Sequence, residues 1–212
     1  FYYAASSEIF GNPKESPQSE NTQFNPRSAY GISKLAGYHL TKNYREAYGL
    51  FACSGILFNH ESPRRGETFV TKKIIDGFKK ITSEKNFVLE LGNIYAKRDW
   101  GHAEDYVNAM WLILQNKNPD DFIISTSKTI SVKSFINKVA KKFRIEIYWK
   151  GKGQFEKAYE KKTHRVLIRI NKKYYRPTEV DFLRGDFKKA KKILKWKPQR
   201  TINNLIDDMI NN

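Results

Sequence analysis

Apolar residues recur along this chain with two periods, and the alternation between those periods predicts its elements. The opening FYYAASSE runs from apolar to polar and reads as a strand over 1–8, and NPKESPQSENTQFNPRS after it is a proline-punctuated polar loop. Over 28–48 the helical period takes over, with Tyr30, Ile32, Leu35, Tyr38 and Leu40 among its apolar positions. A short apolar run at 51–58, closed by Asn59, has the form of a buried strand. Beyond the segment NHESPRRGE, the pattern predicts a helix over 69–81 and a strand in FVLELGN. WGHAEDYVNAMWLILQ follows as a strongly apolar helix with Met110, Trp111 and Leu114 turned to the core.

Downstream, DFIISTS reads as a strand and Ser131 as the N-cap of a helix whose stripe is Phe135, Ile136, Val139, Ala140 and Phe143. The stretch 145–173 alternates only loosely and resists placement. GDFKKAKKILKW and TINNLIDDMI close the chain as two helices joined through Pro198. Strands alternating with helices, and no internal repeat, predict an α/β fold with a parallel sheet.

Composition narrows the classes of function. The 212 residues, 40% of them hydrophobic, suffice for a core of one domain or two small ones. No apolar run approaches the roughly 18 residues of a membrane span, and no charged-then-apolar leader opens the chain. A lone Cys53 within LFACSGILFN excludes an internal disulfide framework and multi-cysteine metal sites, and fits a small core residue. These features point to a cytoplasmic enzyme or binding protein.

The formal charge of +17 raises nucleic-acid binding as a competing class. Its distribution favours solvated faces instead. Lysines outnumber arginines 28 to 11, and Lys133, Lys138, Lys141 and Lys142 lie mostly away from the apolar stripe of their helix. No zinc-finger or RNP-like aromatic motif accompanies them.

Candidate chemistry begins with Tyr30-Gly31-Ile32-Ser33-Lys34, which sets a phenol and an ammonium four residues apart on one helical face. An ammonium beside a phenol favours the phenolate, so such a pair can shuttle a proton; the same spacing also arises in ordinary amphipathic helices. On a continuing strand, Ser6 and Glu8 face the same side, about 6.6 Å apart along the chain. That puts a hydroxyl beside a carboxylate where ligands of open α/β sheets sit, although Ser6 satisfying backbone groups and Glu8 starting the loop is the plainer alternative. Arg64 and Arg65 stand in a Pro/Gly-bounded loop suited to gripping an anion. His60 shows no ligand spacing with His39, His102 or His164, so no metal site is expected. Arg98 and Asp99 either pair with each other on the surface or serve a ligand, and Arg176 either ends a strand or does the same.

In combination, SSE, YGISK, NHESPRRGETFVTKK, RDWGHAEDYV and YYRPTEV resemble, in this order, the GDP-mannose 4,6-dehydratases of the extended short-chain dehydrogenase/reductase group. The resemblance runs through the whole chain, strongest at 54–73 and weakest at 145–173. Decarboxylases and epimerases acting on UDP-sugars share the tyrosine, lysine and serine, but resemble FN-x-x-G-P-R where this chain has FNHESPRRGE. The family usually has threonine where Ser6 stands, a change that keeps the hydroxyl.

The resemblance implies the C-terminal part of a Rossmann-type parallel sheet plus a smaller α/β substrate-binding region. Residues 1–65 would be the second half of an NADP-binding domain, and 66–212 mainly the nucleotide-sugar-binding region, interleaved with the sheet. It implies conversion of GDP-mannose to GDP-4-keto-6-deoxymannose with NADP as a recycled hydride carrier. Tyr30 would take the O4 proton while the C4 hydride leaves, and Ser6 would orient O4. Glu8 would remove the C5 proton and assist loss of the C6 hydroxyl. Lys34 would hold the nicotinamide ribose, and His60 and Arg65 would contact NADP. Asn59, Lys73, Arg98, Arg176 and Glu179 would contact the GDP-sugar. A homo-oligomer, dimer or tetramer, with no nucleic-acid or membrane partner, is expected of the full-length form. No G-x-G-x-x-G turn occurs, since Glu156 stands where a third glycine would follow Gly151 and Gly153, so the chain is expected to be a C-terminal part that binds NADP weakly alone. An inert fragment or a basic nucleic-acid-binding module is the remaining alternative.

Overall fold

In the computed structural model, which describes residues 1–175, 180 and 182–212, the first half of the chain alternates strand and helix. It runs β1 (Tyr2–Ser6), α1 (Ala29–Tyr48), β2 (Cys53–Leu57), β3 (Asn59–Glu61), α2 (Val70–Ser83), β4 (Leu89–Leu91), β5 (Lys97–His102) and α3 (Ala103–Gln115). The second half carries β6 (Asp121–Ile124), β7 (Thr129–Ser131), α4 (Val132–Lys142), β8 (Ile147–Lys150), β9 (Lys157–Glu160), β10 (Val166–Ile170), α5 (Lys188–Ile193) and α6 (Ile202–Asn211). Contacts divide these into two units, each assembled from separated segments. The first comprises Phe1–Glu61, Lys97–Thr129 and Val180–Ile202; the second comprises Ser62–Ala96, Ile130–Glu179 and Asn203–Asn212.

The first unit is built on a parallel sheet of order β1-β2-β6, in register from Ser6 to Leu57 and from Leu57 to Ile124. All five residues of β2 are buried, as a central parallel strand covered on both faces requires. Alternation sends Cys53, Leu57, Phe122 and Ile124 into one core with Tyr106, Ala109, Ile113 and Trp196. Ile56, Phe58 and Ile123 enter the other, with Ile9, Phe10 and Tyr38.

Two helices depart from the sequence pattern. In α1, Tyr30, Ile32 and Leu40 are exposed, while Tyr38 is buried as its pattern predicts, together with Gly31 and Thr41. Small residues set this phase by letting the helix approach closely: a Cβ on Gly37 would lie 2.2 Å from the Tyr3 hydroxyl oxygen. Ser28 caps the helix by accepting the Gly31 N–H, and Gly49 ends it at φ 64. In α3, Trp111 is 60% exposed and Leu114 is exposed too, while Met110 is only partly buried. The buried face is Asp105, Tyr106, Ala109 and Ile113. Asp105 fixes that rotation, because its carboxylate accepts the N–H groups of Gln199 and Arg200, both at 2.9 Å, and pairs with the Arg200 guanidinium at 3.0 Å.

The second unit carries a mixed sheet of order β4-β10-β9-β8, with β10 parallel to β4 and antiparallel to β9. The segment without clear periodicity is this sheet's hairpin and central strand, whose positions are mostly half-buried and therefore only weakly patterned. Helix α2 buries Ile74, Ile75, Phe78 and Ile81. Helix α4 buries Phe135, Ile136, Val139 and Ala140, capped by Ser131 as its sequence predicts. Lys133 leaves the solvated face: its ammonium meets the buried Glu156 carboxylate at 2.5 Å, and Tyr95 donates to the same group.

Candidate functional site

In the first unit the candidate residues gather where the parallel strands end. Strand β1 stops at Ser6, and Ser7–Ile9 form one turn of 3-10 helix. This corrects the strand geometry expected for Ser6 and Glu8. They are related by a cap, with the Ser6 hydroxyl accepting the Glu8 N–H at 3.3 Å, not by strand alternation. The side-chain oxygen competes for the backbone donor and ends the strand.

The first turn of α1 lies against this corner, since a Cβ on Gly31 would fall 2.7 Å from the Glu8 carbonyl oxygen. Tyr30 is 54% exposed beside it. Lys34 reaches back to the strand: its ammonium donates to the Ala4 carbonyl at 2.8 Å and lies 5.4 Å from the Tyr3 ring centroid and 5.7 Å from that of Tyr30. The Tyr3 hydroxyl donates to the Lys34 carbonyl at 3.4 Å, so helix and strand are stitched in both directions.

Asn59 and His60 follow β2 after the single residue Phe58. They belong to β3, a strand paired in parallel with β5 through Asn59 with Trp100 and His60 with Gly101. The sequence placed them at the head of a loop; the partner strand that orders them lies about forty positions on. His60 Nδ1 is 2.9 Å from the Phe58 carbonyl, and since a carbonyl only accepts, Nδ1 carries the proton. The imidazole stacks on Tyr106 at 4.7 Å and 25°.

Arg98, on β5, is half-buried and donates to the Lys97 carbonyl at 3.0 Å. Its neighbour Asp99 is fully buried, which sinks the surface pair considered for these two residues. The Asp99 carboxylate accepts the Thr126 N–H at 2.8 Å, the Thr126 hydroxyl at 2.5 Å and the Gly185 N–H at 3.3 Å. Burial pushes its carboxyl up to about 6 despite those hydrogen bonds. Tyr106 was missed in the sequence and Asp99 was considered for the surface, because what marks them, a stacking partner and burial, comes from segments far away along the chain.

In the second unit the Arg65 guanidinium lies 3.5 Å above the Phe69 ring, and Arg64 is exposed. The Arg65 N–H closes the turn onto the Ser62 carbonyl at 3.0 Å. The Lys73 ammonium lies 3.5 Å over the Tyr174 ring, which Lys173 approaches at 4.8 Å. Arg176 and Glu179 lie outside the described residues.

Ser6, Glu8, Tyr30, Lys34 and His60 stand at the C-terminal edge of the parallel sheet, the side on which open α/β sheets bind their ligands. The family described as GDP-mannose 4,6 dehydratase matches residues 1–209. The chain belongs to that family. Over 210 residues it is 51% identical to a GDP-mannose 4,6 dehydratase of Dictyostelium discoideum, covering 99% of this chain and 59% of that protein. It is also 51% identical to the human protein of that name, covering 99% of this chain and 56% of its length. The chain thus spans little more than half of these relatives.

Among solved structures, RMD from Pseudomonas aeruginosa complexed with NADPH superposes with TM-score 0.82 at 20% identity, covering 100% of this chain and 65% of that one. A dTDP-glucose 4,6-dehydratase from Bacillus anthracis in complex with NAD gives TM-score 0.80 at 15% identity, covering 99% of this chain and 60% of that one. At these identities the likeness shows the fold, which is the Rossmann-type α/β fold expected from the sequence.

Proposed function

We propose that the polypeptide carrying this chain is a GDP-mannose 4,6-dehydratase, converting GDP-mannose to GDP-4-keto-6-deoxymannose with NADP as recycled hydride carrier. The observation that carries this reading is the apposition of the Ser6–Glu8 corner with the Tyr30–Lys34 turn, in a chain half identical to proteins of that name. NADP, when bound, supplies reversible hydride transfer. The donor set fits such a group: an ammonium has three N–H donors and Lys34 commits one to Ala4, which suits it to ribose hydroxyls as well.

In this reading Tyr30 takes the O4 proton, and Ser6 holds O4 in line for oxidation at C4. The resulting ketone acidifies the C5 proton. Glu8 removes it and returns a proton to the departing C6 hydroxyl, which leaves as water. His60 and Arg65 contact NADP; Asn59, Lys73, Arg98, Arg176 and Glu179 contact the GDP-sugar. Residues 1–65 serve mainly the cofactor and 66–212, interleaved with the sheet, mainly the nucleotide-sugar. A cytoplasmic homo-oligomer, dimer or tetramer, without nucleic-acid or membrane partner belongs to the same proposal; no helix among the described residues is long and apolar enough to cross a membrane.

The test is to graft this chain in place of the aligned 210 residues of the D. discoideum relative and assay GDP-mannose with NADP. Turnover to the 4-keto-6-deoxy product is expected, and Glu8→Gln should lower it by about 10²- to 10⁴-fold. Preference for UDP-glucuronate over GDP-mannose, or full turnover by the Glu8→Gln protein, would refute the reading.

A further inference from the structure

The loop between Glu8 and Tyr30 contains a glutamine that the proposed chemistry does not use. Gln18 is fully buried, and both its backbone and its side chain bond to main chain. Its N–H donates to the Arg184 carbonyl at 2.8 Å, and its carbonyl accepts the Asp186 N–H at 2.8 Å. Its side-chain Oε1 accepts the Arg184 N–H at 2.9 Å, and Nε2 donates to the Glu15 carbonyl at 2.6 Å. A buried amide is stabilising only when its groups are paired in this way, and an apolar residue would fill the space without the specificity.

These bonds do not serve the neck of the loop, which closes on itself through Asn12 N–H to the Asn25 carbonyl at 3.3 Å and Asn25 N–H to the Ile9 carbonyl at 3.0 Å. They hold residues 184–186. That segment is gripped from its other side by β5. Gln18 bridges Gly185 in parallel, and Lys97 bridges Phe182 in parallel. The Gly185 N–H donates to Asp99, and its carbonyl accepts from the Ser127 hydroxyl at 2.6 Å. Gly185 has no room for a side chain, since a Cβ there would lie 2.5 Å from Ser125 Cβ and 2.7 Å from the Phe58 ring. Residues 182–186 are therefore a rib clamped between Gln18 and Lys97–Asp99, and Arg98 sits on the clamped strand.

We infer that Gln18 is a positioning residue for the nucleotide-sugar end of the site, acting through Gly185 and Asp99 on the placement of Arg98. The inference rests on the assignment of Arg98 in the proposed function. In the NADP-loaded enzyme, Gln18→Met keeps the side-chain length and removes both amide hydrogen bonds. It should raise the Kd for GDP and the KM for GDP-mannose about tenfold while kcat stays within about twofold. Gln18→Glu retains the oxygen that accepts the Arg184 N–H and should recover most of that affinity.

An unchanged KM in a folded Gln18→Met protein, or a kcat that falls as far as KM rises, overturns the inference. If Gln18→Met does not fold, the milder Gln18→Asn, too short to hold the Arg184 N–H, takes its place in a cycle with Arg98→Ala: coupling in GDP affinity supports the inference, and strict additivity overturns it. A wild type that binds GDP without turning over GDP-mannose refutes the proposed function instead, and leaves the GDP comparison readable.

Discussion

The Lys34 ammonium lies 5.7 Å from the centroid of the Tyr30 ring, while its donated hydrogen bond goes to the Ala4 carbonyl. The lysine thus fastens the helix to the strand and charges the surroundings of the phenol at once. Tyr30→Phe removes only the hydroxyl of an exposed ring and should leave stability within about 0.5 kcal/mol. Turnover of GDP-mannose should fall by about 10²-fold or more. Parallel melting and steady-state assays check the pair of outcomes. Lys34→Met should lower both activity and melting temperature, because it also unfastens Ala4.

Gly31 keeps the first turn of α1 against the Glu8 carbonyl. Gly31→Ala places a Cβ where backbone oxygen lies 2.7 Å away, and neither main chain has a flexible end to give. A loss of about 1–3 kcal/mol is expected from such overpacking. Turnover should fall beyond what stability explains, because Tyr30 is carried off the Ser6–Glu8 corner. Chemical denaturation alongside assays well below the melting temperature separates the two effects.

At the opposite end of the sheet, the Arg45 guanidinium grips Asp121 with Nη1 to Oδ1 at 3.0 Å and Nη2 to Oδ2 at 2.7 Å. Burial raises the Asp121 carboxyl, but the Arg45 hydrogen bonds and charge outweigh it and hold the group below its ordinary range. The depressed value means a contribution to stability that is present above the unfolded-state carboxyl pKa and lost as pH falls through the folded value. Asp121→Ala should cost about 3 kcal/mol at neutral pH, by stranding Arg45 and the Ser54 N–H, and the deficit should shrink below about pH 4.

Asp99 behaves in the opposite sense. Its carboxyl, raised from 3.8 to about 6 by burial, binds a proton more tightly folded than unfolded. The protonated form therefore favours the native state, and this group's contribution to stability falls as pH rises between those two values, by about 3 kcal/mol in all. Denaturation of wild type and Asp99→Asn at intervals from pH 4 to 7 should show the variant gaining relative to wild type as pH rises. A constant difference across that range is the contrary result.

Much of the fold was legible because local chemistry and periodicity agree with it. Ser131 caps its helix as the sequence predicts, and the stripe at Phe135, Ile136, Val139 and Ala140 faces the core. The helix rotations misread at Trp111 and at Ile32 were decided by other forces. A buried Asp105 bonded to Gln199 and Arg200 turns α3, and glycines in close contact turn α1. Hydrophobicity alone carries neither signal.

The sequence by itself determined the family, through motifs whose order and residue types cover the chain, together with the placement of Tyr30 and Lys34 on one helical turn. The tertiary structure alone decided that Glu8 stands on a 3-10 turn capped by Ser6, that His60 is a strand residue stacked on Tyr106, and that Gln18 and Asp99 clamp Gly185. For His60, Gln18 and Asp99 the reason is the distance along the chain over which their contacts close. Gln18 and Arg184 are 166 positions apart and Asp99 and Gly185 are 86 apart, and hydrogen bonds across such separations impose no period that a sequence can display.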